Sequence, residues 1–147
     1  MGWGTLRSVI DIPRNGDPKM EFMKQHSERT YALLRIVSGF LFLWHGTQKL
    51  FGFPAGGPAE IPTFVLYVAG PIELIGGLML IAGFMTRQVA FLCSGLMAAA
   101  YWMAHGLKAP LPLQNHGELS VLYCFLFLFL SANGSGIWSV DSSRGSA

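Results

Sequence analysis

Four apolar stretches, each broken from the next by proline, glycine or charge, constrain this chain more than any other feature. They cover residues 31–50, 64–85, 89–105 and 118–132, and their ionisable residues sit mostly near the ends. About 20 helical residues cross the hydrocarbon core of a bilayer, where backbone polar groups must bond within the chain. Only 12% of the chain is charged and 52% is hydrophobic, with a mean hydropathy of +0.44; soluble domains carry roughly 25% charged residues. Four spans would use roughly 80 residues, leaving too few of the 147 for a second domain. The expectation is an all-α, integral membrane four-helix bundle over residues 31–132, with polar tails at 1–30 and 133–147.

The punctuation supports those limits. Residues 1–30 are polar, hold Pro13 and Pro18, and lack the apolar core of a signal peptide. Leu6 stands where a myristoylation motif requires Ser or Thr. Pro54, Gly56, Gly57, Pro58 and Pro62 make the first connection a loop. Pro71 removes a helix hydrogen bond and predicts a kink in the second span, with the small pair Gly76 and Gly77 beyond it. Thr86, Arg87 and Gln88 read as a short turn, and Ala90, Ser94 and Ala98 as a small-residue face for close packing. Lys108, Pro110 and Pro112 lie in the third connection, and residues 133–136 end the fourth span.

Basic residues near the spans set orientation. Arg7, Arg14, Lys19, Lys24 and Arg29 precede the first span, Arg87 lies in the second connection, and Arg144 follows the last span. Both termini are therefore expected in the cytoplasm. His45, Gln48 and Lys49 then lie near the outer end of span one, His105 near that of span three, and Asn115, His116 and Glu118 at the start of span four. Glu73 falls roughly 13 Å into span two at about 1.5 Å per residue. These eight residues are the candidate ligand-binding set, with His45, Glu73 and Glu118 as the candidates for proton chemistry. Arg35 is read as snorkelling to the cytoplasmic interface and Arg87 as anchoring its turn.

Ionisable side chains at membrane depth cost about 2.5–3.5 kcal/mol each on insertion scales, so they generally face a bundle interior. His45, Gln48 and Lys49 share one helix face by their three- and four-residue spacing. With Glu73 they form either a structural ion-pair knot or a ligand site in which His45 and Lys49 donate to an oxygen-bearing head group while Glu73 or Glu118 relays a proton. A quinone or similar amphiphile suits apolar walls with a few placed polar groups, and Trp44, Tyr101, Trp102 and Phe127 are candidate stacking surfaces. His45 and His105 at similar depth would meet the needs of a bis-histidine haem, but histidines at helix ends more often cap or touch headgroups, so haem is disfavoured. No spacing supports a metal site. Cys93 and Cys124 lack C-x-x-C spacing and read as buried free thiols.

Arg35 with Gly39, the run from Trp44 through His45, Gly46, Thr47, Gln48 and Lys49, and the segment from Gly70 through Pro71 and Glu73 to Gly77 form one part of a larger pattern. Gly83 to Arg87, then Asn115, His116, Gly117 and Glu118 leading to Tyr123, and Gly134 to Asp141 complete it. Over about residues 33–141 the chain resembles the DoxX family of small bacterial membrane proteins. The resemblance implies four transmembrane helices in the bacterial cytoplasmic membrane and a link to quinone redox chemistry. The expected function is a quinone-linked oxidoreductase or the quinone-interacting subunit of a redox complex. The alternatives are a non-catalytic scaffold for a soluble redox enzyme and a carrier of a small amphiphile or protons. The expected partners are lipid, a soluble redox protein and further copies of the chain, with no nucleic acid.

Overall fold

Every regular element in the computed structural model is helical among the residues it describes, 21–56, 62–109 and 111–145. Most of the expected N-terminal tail, the loop residues Gly57 and Pro58, and Pro110 lie outside the described residues. Four helices dominate: α1 (Ser27–Phe51), α2 (Val65–Ala82), α3 (Thr86–Gly106) and α4 (Glu118–Asn133). One-turn helices occur at Glu21–Lys24, Pro112–Asn115 and Val140–Ser143. The first four residues of α1 fall where the sequence suggested tail.

Helices α2 and α3 are each long and apolar enough to cross a membrane. Helix α1 has the length but carries Glu28, Arg29, Arg35 and Lys49, whereas α4 is apolar but only 16 residues long. Large apolar side chains stand exposed on all four, among them Val37, Leu41, Ile75, Phe91, Leu122 and Phe125. A surface this apolar is matched to acyl chains and not to water.

Two π-helical turns interrupt the regular geometry. Val65–Ala69 opens α2 and Tyr101–Gly106 closes α3. The first ends two residues before Pro71, which takes a position in the opening turn of the α-helical part of α2. Proline lacks an N–H and its ring crowds the preceding turn, and the wider π-turn accommodates both demands.

Helix α1 packs along α2 and α3 along α4, and contacts between α2 and α3 join the pairs. Phe42, Leu80, Cys93, Phe127 and Leu130 are fully buried between them. The α1–α2 seam is built on glycine. A Cβ on Gly46 would lie 2.4 Å from the Leu74 nitrogen, and one on Gly77 would lie 2.8 Å from the Gly39 carbonyl oxygen. Gly76 faces the other way, against Cys93 of α3, so the adjacent small pair serves two neighbours. Ala90 and Ser94 are buried on α3, and the Ser94 hydroxyl donates to the Cys124 carbonyl of α4 at 2.8 Å.

Polar bonds close one end of the helices. Arg35 is fully buried, and its five N–H groups meet five carbonyl oxygens: Leu80 and Ile81 at the end of α2, and Ser135, Ile137 and Trp138 after α4. The expectation that Arg35 snorkels outward is therefore corrected. Its guanidinium faces inward because helix ends leave carbonyls without partners and carry partial negative charge. Arg87 does the same for α4, donating to the Ser131, Ala132 and Asn133 carbonyls.

Thr86 begins α3 where the sequence suggested a turn; the turn is instead Gly83 to Met85, with Met85 at φ +49°. The cap of α3 comes from far along the chain. The Asp141 carboxylate accepts from the Met85 and Thr86 amides, both at 2.9 Å, and its own N–H donates to the Gly83 carbonyl at 3.0 Å. Burial alone would raise the Asp141 pKa, but the bonds from Thr86 and Met85 and the charge of Arg144 outweigh it and hold the carboxyl below its usual range. A carboxyl lowered in the folded state adds stability above its unfolded pKa, and that stability is lost as pH falls through the folded value. Asp141→Asn should cost about 1.5–3 kcal/mol at neutral pH, the range for charge-assisted bonds. Melting curves in detergent should show the variant and wild type converging as pH drops below the carboxylate range.

Candidate functional site

The opposite end of the helices is open. The second half of α1, the first half of α2, the end of α3 and the start of α4 surround a cavity of about 370 Å³. The antiparallel order of the helices brings these four segments to one end. Phe42, Val65, Ala69, Leu96, Met97 and Ala100 supply apolar wall, and five charged or imidazole side chains supply the polar groups: His45, Lys49, Glu73, His105 and His116.

Lys49 and Glu73 form an ion pair between α1 and α2, with the carboxylate side chain 3% exposed and the ammonium side chain 23% exposed. Such a pair is tolerated at depth because each charge compensates the other. His45, one turn before Lys49, is half-buried and packs edge-on against the Tyr123 ring at 6.3 Å. Tyr123 stacks on Phe127 at 5.3 Å between centroids.

The α3–α4 connection presents the remaining two histidines. The Nδ1 atom of His105 lies 2.9 Å from the Asn115 carbonyl oxygen. His116 takes the left-handed conformation, φ +58°, at the end of the one-turn helix Pro112–Asn115. Asn115 holds this corner: Nδ2 donates to the Tyr101 hydroxyl and the Ala109 carbonyl, and Oδ1 accepts from the Gly117 amide. A non-glycine residue at positive φ persists where its surroundings fix it, and here they set His116 at the cavity.

Three of the eight expected residues do not line this cavity. Gln48 turns to the following loop and donates to the Gly56 carbonyl at 3.1 Å. Asn115 spends its polar atoms within the protein. Glu118 is exposed at the first turn of α4, beside a separate open groove with Pro112 and Leu122. The expected stacking residues also lie elsewhere: Trp44 packs on Phe40 and Phe53, Trp102 is exposed, Tyr101 braces Asn115, and Phe127 sits behind Tyr123. Tyr123 lines the cavity with Phe42 and Phe64, and its hydroxyl makes no hydrogen bond among the described residues. A tyrosine within a Leu- and Phe-rich helix was the available signal, because a buried phenol generally needs a partner.

No group of three or more metal-ligating side chains gathers among the described residues. Cys93 is buried and Cys124 half-buried, both as free thiols.

Comparison with known proteins places the chain in context. The DoxX family model matches residues 30–106. A Haemophilus influenzae protein that bears no functional name is 40% identical over 129 residues, covering 84% of this chain and 96% of the relative. A Bacillus subtilis protein named "Putative oxidoreductase CatD" is 32% identical over 113 residues, covering 74% of this chain and 82% of the relative. No solved structure matches the chain.

Proposed function

The chain belongs to the DoxX family, whose members are membrane-associated, and from that premise we propose that it binds a quinone-class ring as part of a membrane redox reaction. The carrying observation is the composition of the cavity. Apolar walls and the Tyr123 ring suit a flat amphiphile, while Lys49, Glu73 and three histidines suit its oxygens and protons. The oxidoreductase name of the Bacillus subtilis relative supports the redox half of the reading.

In this proposal all four helices cross the bacterial cytoplasmic membrane, with α4 completed by headgroup-level residues. Both termini face the cytoplasm, so the Arg35 and Asp141 end is cytoplasmic and the cavity opens in the outer leaflet. Residues 31–132 are the bundle, flanked on the cytoplasmic side by 1–30 and 133–147. The chain carries no dinucleotide or iron–sulfur motif, so a soluble redox partner supplies or removes electrons.

Lys49 donates to a ring oxygen, and Glu73 and His45 hold the protons that accompany reduction or oxidation. Mass spectrometry of the gently solubilised protein should find a retained quinone-class molecule. Glu73→Gln should weaken binding of an added short-chain ubiquinone, because Lys49 loses the carboxylate that holds its ammonium at the cavity. Absence of any ring from the wild-type protein, together with failure to bind the added quinone, would refute the proposal.

A further inference from the structure

The corner formed by His105 and Asn115 fixes the direction of one hydrogen bond in the cavity. The following inference rests on the reading of that cavity as a ring-binding site. Asn115 is 3% exposed, and its side-chain atoms bond to Tyr101, Ala109 and Gly117. Its carbonyl oxygen lies 2.9 Å from His105 Nδ1. A carbonyl oxygen can only accept, so Nδ1 carries a proton, and of the two neutral tautomers the bond selects the one with its lone pair on Nε2. His105 lines the cavity, and no other hydrogen bond engages it among the described residues. In the neutral ring its remaining nitrogen is therefore an acceptor whose direction this bond sets.

The Lys49–Glu73 end is chemically different. One ammonium proton goes to Glu73 Oε2, while two protons and Glu73 Oε1 remain for a ligand. That end satisfies a carbonyl or a hydroxyl equally. His105 does not. An oxidised quinone offers only acceptor oxygens and would set lone pair against lone pair, whereas a hydroquinone offers O–H.

We propose that His105 Nε2 accepts from a ring hydroxyl, so that the cavity selects the reduced, phenol-bearing form of its ligand over the quinone, with Asn115 as the positioning residue that sets the histidine tautomer. The preference follows from an asymmetry in hydrogen bonding: an acceptor left unpaired where the bound ring excludes water costs more than a made bond gains. Discrimination by such a group is correspondingly strong.

The test uses the full chain in detergent, titrated without oxygen with a short-chain ubiquinone and with its hydroquinone. The wild type should bind the hydroquinone about tenfold more tightly, the order expected for one unpaired buried acceptor. In His105→Asn the amide can still donate to the Asn115 carbonyl, but the Nε2 lone pair is gone. Quinone affinity should rise as the opposing lone pair is removed, hydroquinone affinity should fall as its acceptor is lost, and the two should become equal. Equal wild-type affinities, or a preference retained in His105→Asn, would overturn the inference and leave ring binding standing. Binding of neither form would overturn both. Nitrogen NMR of histidine-labelled wild-type protein gives a second reading that needs no variant: a protonated Nδ1 and bare Nε2 at His105 support the inference, and a proton on Nε2 overturns it.

Discussion

Arg35→Leu should destabilise the protein by about 4 kcal/mol or more, the range reached when a buried network is broken. Five carbonyl oxygens lose their donor at once, from Leu80, Ile81, Ser135, Ile137 and Trp138. A buried acceptor left alone costs about 1–3 kcal/mol, and water entering from the membrane surface will recover part of the sum. Arg35→Lys should recover little, because an ammonium has three donors and no planar fork. Melting in detergent measures the loss directly. The effect should reach the other end of the network too, with the segment from Ser135 to Trp138 becoming accessible to protease while α3 and α4 stay paired. Wild-type melting in Arg35→Leu would mean that these bonds contribute nothing net.

Gly46→Ala should cost about 3 kcal/mol, the upper end of what an added methyl group does in a filled core. The reason is where the new carbon would sit: 2.4 Å from the Leu74 nitrogen, 2.8 Å from the Leu74 Cα and 2.9 Å from the Gly70 carbonyl oxygen. All three are backbone atoms of α2, so no side-chain rotation relieves the clash and the helices must part. Lys49 lies three residues further along α1, so its bond to Glu73 should open as well. Gly46→Ala is thus expected to lower both melting temperature and ring affinity. Gly95→Ala is the matched control, since a Cβ there meets nothing within 4 Å.

Much of the helix order was legible in the sequence because apolar length and the proline- and glycine-rich connections are local signals. The observed helices begin and end within a few residues of the apolar stretches. Lys49 and Glu73 were legible as partners for a similar reason: each is a charge in an apolar helix, and the helices are consecutive. Arg35 was not. Hydropathy cannot distinguish a guanidinium that reaches outward from one that turns inward to carbonyls contributed by residues about 100 positions later. The start of α3 was missed because its cap, Asp141, lies 55 residues beyond Thr86.

The candidate site divided along the same line. His45 and Lys49 follow from helical spacing, and both line the cavity. Gln48 shares their nominal face, but a long amide at a helix end can turn to a loop carbonyl, as it does with Gly56. Glu118 opens α4, where a carboxylate is favoured by the helix dipole without any ligand. Asn115 belonged in the set for a different reason from the one its polarity suggested, since it orients two histidines and leaves no polar atom of its own side chain for a ligand.

The distance in sequence between Arg35 and its acceptors has a consequence for how the molecule is made. When the first hydrophobic segment leaves the ribosome, the carbonyls that will receive three of the guanidinium's five N–H groups lie about 100 residues away and have not been synthesised. The guanidinium therefore finds its full set of acceptors only after the segment from Ser135 to Trp138 has been made. Docking of that segment onto Arg35 is accordingly the closing step at this end of the helices.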